Sequence, residues 1–212
     1  MSRIRVILDA CVLVPYQLAD LLLRIADAEL FKPLWSGDLL SEVERNIVKL
    51  GVQPDKAARR IAQMESASPN ATVTGFEHLV PAMTTDPKDR HVAAAAVRGG
   101  AALIVTANMR DFPQEALARY DIEVVHPDDF LQDQLVLAEA TVLTCLQRHR
   151  SAYVISPART RRRFAAAPVP HGVRCLVCTA TLDMIVPRLR SVSAHTQWEF
   201  VTVGGVDHLG ML

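Results

Sequence analysis

Apolar and polar positions alternate along the first two thirds of the chain in two rhythms. Ile4, Val6, Ile7 and Leu8 form a short β-branched run that stops at Asp9, the pattern of a buried strand delivering a carboxylate at its tip. Behind Pro15, Leu18, Leu21, Leu22 and Ile25 recur at helical spacing and predict a helix fading near 31–33. Ser36 has the chemistry of an N-cap, and Leu39, Leu40, Val43, Ile47 and Leu50 make the next apolar stripe, stopped by Gly51. A further helix follows Pro54 and runs to about Ser66. The stretch 71–75 gives a weak strand signal, and Asp86, Pro87, Lys88 and Asp89 lead into a helix rich in alanine, in which Asp86 and Asp89 have the spacing of a capping box. Gly99 and Gly100 end that helix. A second strand is expected over 101–106, a short helix over 114–119 and a third strand over 122–125. Helices are then expected after Pro127 and over 135–147.

Strand and helix alternation implies an α/β fold, a mainly parallel sheet flanked by helices. In such sheets ligands bind beyond the carboxyl ends of the strands, which nominates Asp9 and the loop 106–111. Beyond Pro157 the periodicity decays, and the run Arg159–Arg163 reads as a linker into a loosely organised or partner-dependent extension. The expected division is therefore a first domain over 1–133, a helix over 134–156 and a basic extension over 157–212.

Composition narrows the chemistry. The 212 residues are 50% hydrophobic and 22% charged, which excludes disorder for most of the chain. Its 23 basic and 23 acidic residues are unevenly placed: 16 basic against 20 acidic before position 157, 7 against 3 after it. An acidic front argues against a broad phosphate-binding face there and suits a carboxylate pocket that recruits a divalent cation. No apolar run reaches membrane-span length, and the four cysteines (Cys11, Cys145, Cys175, Cys178) read as reduced thiols, so a cytoplasmic protein is expected.

Acidic or amide side chains occur at four places: Asp9; Glu42 or Glu44; Asp86 and Asp89; Asn108 and Asp111. Brought to one sheet edge they would repel one another unless a cation lay between them, and all-oxygen ligands favour Mg²⁺ or Mn²⁺ over zinc. Helical geometry alone does not choose between Glu42 and Glu44. Thr106 could hydrogen-bond a water at that edge, while His91 and His126 are read as structural or exposed. His171, Cys175 and Cys178 have part of a zinc pattern, with His195 or His208 needed as a fourth ligand. Arg159, Arg161, Arg162 and Arg163 could hold RNA phosphates.

These residues carry a resemblance. "RVILDACVLV", "LWSGDLLSEVERNI", "DPKDRHVAAAAVRGGAALIVTANMRDFP" and "YDIEVVHPDDFL", in that order, resemble the PIN domain, the fold of metal-dependent ribonucleases that includes VapC-type toxins of type II toxin–antitoxin systems. The resemblance covers roughly residues 4–133 and implies a three-layer fold. It places the family's acids at Asp9, Glu42 and Asp89, and its fourth position at Asn108, an uncharged departure for which Asp111 can substitute. It further implies an endoribonuclease that uses Mg²⁺ or Mn²⁺ to leave a 5′ phosphate and a 3′ hydroxyl, a cognate antitoxin that covers the pocket, and a homodimer. An alternative is a catalytically weak or inactive module that binds RNA or protein. A phosphatase of the haloacid dehalogenase type is disfavoured, because that chemistry wants an acid where Cys11 stands.

Overall fold

The computed structural model describes residues 3–153 and two strands at 198–203 and 206–211. Residues Met1–Arg150 form one compact unit and Ser151–Leu212 another. In the first unit, five parallel strands, β1 (Arg5–Leu8), β2 (Lys32–Ser36), β3 (Thr72–Val73), β4 (Leu103–Val105) and β5 (Glu123–Val125), lie in the order β3-β2-β1-β4-β5. Helices α1 (Ala10–Leu13), α2 (Tyr16–Asp27), α3 (Gly37–Lys49), α4 (Pro54–Ala67), α5 (Arg90–Gly99), α6 (Gln114–Leu117), α7 (Pro127–Leu137) and α8 (Glu139–Tyr153) connect and follow them. The expected α/β architecture with a parallel sheet is thus the observed one. Among the described residues, no helix is long and apolar enough to cross a membrane.

Strand β1 is central, and Val6, Ile7 and Leu8 are all fully buried. Its register against β4 pairs Leu8 with Val105, so the next residues along, Asp9 and Thr106, leave the sheet side by side. The polypeptide then turns at once into α1. Helix α5 buries Val92 and Ala93–Ala96 completely, and the small side chains let it lie close to the sheet. It closes on Gly100, whose φ of 60° is the left-handed conformation glycine adopts without penalty.

Four local expectations differ from the structure. Residues 32 and 33, expected within the fading end of a helix, belong to strand β2. Pro33 is tolerated there because its missing N–H falls one rung before the Trp35 N–H→Ala71 carbonyl bond, where β3 has not begun. Helix α5 starts at Arg90, not around Asp86: the Asp86 carboxylate accepts from the Lys88 N–H at 3.1 Å and its carbonyl from the Asp89 N–H at 2.9 Å, closing a turn before the helix. Asp89 is the N-cap, yet its side chain makes no capping bond. The helix expected over 135–147 is instead the end of α7 and most of α8, separated at Ala138, whose φ of -151° and ψ of 62° leave the helix. Near the carboxyl end, Trp198–Val203 (β6) and Val206–Met211 (β7) pair as an antiparallel hairpin that the sequence did not announce. Arg159–Arg163, His171, Cys175, Cys178 and His195 lie outside the described residues.

Candidate active site at the carboxyl edge of the sheet

Asp9 is 5% exposed, and both oxygens of its carboxylate accept hydrogen bonds. One oxygen, Oδ1, accepts from the Ala10 N–H at 2.6 Å, capping α1, while Oδ2 accepts from the Thr106 hydroxyl at 2.7 Å and the Cys11 thiol at 3.0 Å. Thr106 in turn accepts from the Asn108 N–H at 3.0 Å, and Cys11 accepts from the Ala107 N–H at 3.2 Å. The first strand's acid is therefore stitched to the loop after β4. Burial and the Asp9 charge push the Cys11 thiol up to about 12, so it is a neutral hydrogen-bond partner and no nucleophile.

Asp89 stands at the start of α5 with its Oδ2 buried and without a hydrogen bond. Burial, then the Asp9 carboxylate, push its carboxyl up to about 7, with Asp111 and Asp86 adding to the rise and Lys88 opposing it. Acids contributed by the tip of β1 and the start of α5 thus feel each other's charge. Lys88 partly offsets it: Nζ lies 2.9 Å from an Asp111 oxygen and 3.8 Å from Asp89 Oδ2. Asp111 is held there because its carbonyl accepts the Asp86 N–H at 3.0 Å.

Glu42, on α3, meets His91 of α5, with Oε2 3.8 Å from the imidazole Nε2. Of the two glutamates the sequence left open, Glu42 is the one facing α5. Ser36 secures its helix, accepting the Leu39 N–H at 3.1 Å. Asn108 is exposed and begins the short 3₁₀ turn Met109–Asp111. Asp111, not Asn108, is the residue of that loop whose charge reaches Asp89. The Thr106 hydroxyl, expected to serve a water, is occupied with Asp9. His91, read as structural or exposed, and Lys88, to which no role was assigned, are neighbours of the acids that sequence reasoning missed; the pointer to both was their position on either side of Asp89. Among the described residues, no three His, Cys, Asp or Glu side chains already close around a common point.

A parallel sheet with the charges of Asp9, Asp89 and Asp111 acting on one another at its carboxyl edge defines a class, and the chain belongs to it: the PIN-domain family model matches residues 5–110. That span includes Asp9, Glu42, Asp89 and Asn108 and stops one residue short of Asp111. Among curated proteins, the chain is similar to one from Mycobacterium tuberculosis named "Putative ribonuclease VapC50", with 44% identity over 96 residues. The match spans 43% of this chain and 57% of that protein's length. No solved structure matches the chain.

Proposed function

We propose that this chain is a metal-dependent endoribonuclease, the toxin of a type II toxin–antitoxin pair, with Asp9, Glu42, Asp89 and Asp111 serving one divalent cation, Mg²⁺ or Mn²⁺. The observation that carries this reading is the Asp89 carboxyl, held near pH 7 by burial and by Asp9, with an oxygen that no hydrogen bond satisfies. Such an oxygen beside a second carboxylate fits a hard cation, and Mg²⁺ needs only one or two direct carboxylates, the remaining positions being filled by water and substrate phosphate. When bound, the ion supplies a more acidic water and offsets charge on phosphoryl oxygens.

The protein's own residues do the positioning. Thr106, Cys11 and the Ala10 N–H fix the Asp9 carboxylate so that no reorganisation is needed on substrate binding. Asp89 is uncommitted to its helix and free to ligate. Asp111 supplies the negative charge that Asn108 lacks, and Asn108 offers an amide oxygen from the same loop. Lys88, exposed at the rim, offers positive charge to a phosphodiester that an acidic pocket would otherwise repel. The likeness to a VapC-named protein supports RNA as substrate and an antitoxin as partner; the homodimer follows from the family resemblance.

Purified full-length protein is expected to cleave single-stranded RNA with Mg²⁺ or Mn²⁺ and to stop when EDTA is added. Asp9→Asn should lower the rate on the order of 100-fold or more with an unchanged circular dichroism spectrum. Undiminished cleavage by that variant contradicts the assignment.

A further inference from the structure

We propose that His91 is a nitrogen ligand of the same cation, bound through Nε2, so that the site is not the all-oxygen site its acids suggest. The proposal rests on the metal-dependent reading above and adds to it the identity of one donor. His91 stands in the first turn of α5, two residues after Asp89. Its Nδ1 lies 2.9 Å from the Lys88 carbonyl oxygen. A carbonyl only accepts, so Nδ1 carries the hydrogen, and in the neutral ring the lone pair is on Nε2.

That nitrogen is sealed from solvent and has no hydrogen-bond partner. What it faces is Glu42 Oε2 at 3.8 Å. A lone pair directed at a carboxylate is unfavourable unless positive charge lies between them, and a buried polar atom left unsatisfied is destabilising. One divalent cation would satisfy both atoms. Neighbouring donors of an octahedral ion with bonds of roughly 2.1 Å stand about 3 Å apart, so Nε2 and Oε2 would have to close by less than about 1 Å to share one ion. The bond from Nδ1–H to a backbone carbonyl is the outer contact that fixes the tautomer and the ring plane of ligating histidines. Asp89 Oδ2, at the start of the same helix, is likewise buried without a hydrogen bond. An imidazole donor moves the preference of the site from Mg²⁺ toward Mn²⁺ and later transition ions.

Mn²⁺ titrated into the full-length protein and observed by pulsed electron paramagnetic resonance tests this. The wild type should show nitrogen modulation from one directly bound imidazole. His91→Asn should abolish it, because the asparagine amide can replace the Nδ1–H bond to the Lys88 carbonyl but leaves no nitrogen at the Nε2 position. In that variant Mn²⁺ affinity should fall about tenfold, and Mg²⁺ affinity, read by competition, should fall less. Mn²⁺ binding that depends on Asp9 but shows no nitrogen coupling in the wild type would overturn the His91 assignment and leave the carboxylate reading intact. Failure of the wild type to bind Mn²⁺ at all would overturn both. The wild-type spectrum decides the matter even if the variant folds poorly.

Discussion

Burial and the facing Asp9 charge keep the Asp89 carboxyl near pH 7, well above the 3.8 of an unperturbed aspartate. A carboxyl raised in the folded state binds its proton more tightly there than in the unfolded chain. Its contribution is therefore favourable at acid pH and is lost as pH rises from about 4 through about 7. Metal-free protein should accordingly show a melting temperature that declines over that interval. Asp89→Asn should flatten the decline and, at pH 8 without metal, raise the melting temperature by about 2–4 °C for each kcal/mol of repulsion relieved. A decline unchanged in the variant would move its origin elsewhere. Asp9 and Asp89 were legible in the sequence because each interrupts or introduces an apolar run, where an acid without a purpose is costly. His91 was not, since a single histidine carries no periodic signal. Its setting depends on where the Asp86–Asp89 turn leaves the Lys88 carbonyl.

At the scale of elements, the site is as good as the ends of its strands and helices. The buried Ser36 hydroxyl caps α3, the helix that carries Glu42. Ser36→Ala should cost about 1 kcal/mol, visible in denaturant titration, and a cost near zero would show that the cap is replaced by another acceptor. Helix α8 is tied back to α2 by Asp20, which receives Arg24 Nε at 2.8 Å and lies 2.8 Å from His149 Nδ1. Burial pushes the Asp20 carboxyl up, but the bonds from Arg24 and His149 outweigh it and hold it below 3.8. With a lowered carboxyl the sign reverses: this stabilisation is present above the unfolded value and is lost as pH falls through the folded one. Asp20→Asn should therefore destabilise the protein at neutral pH and narrow its gap from the wild type at acid pH, in thermal melts at pH 7 and pH 3. An equal gap at both would contradict the role of its charge. Strand β2 and the α7–α8 boundary escaped the sequence for related reasons. Pro33 disguises a short strand that merges with a helix cap, and no Gly or Pro marks the break at Ala138, where only the backbone angles change.

For the molecule as a whole, a shared cation requires oxygens from distant stretches of chain to meet at one edge of a five-stranded parallel sheet. Topology accomplishes this by placing β1 beside β4, so that Asp9 and Thr106 emerge together, while α5 delivers Asp89 close enough for its carboxyl to respond to Asp9. The alternation of strands and helices makes that placement readable in the sequence. The direct tie between Asp9 and the loop after β4, through Thr106 and Cys11, has no signature in the sequence, because it joins residues nearly a hundred positions apart. The most direct test is the melting temperature of the full-length protein at pH 8 as Mn²⁺ is added, for the wild type, Asp9→Asn and Asp89→Asn. The wild type should gain stability with increasing Mn²⁺, approaching about 2.7 kcal/mol when the ion is 100-fold above its dissociation constant, and both variants should lose most of that gain. A wild type indifferent to Mn²⁺, or variants that gain as much as it does, would contradict a cation shared by Asp9 and Asp89.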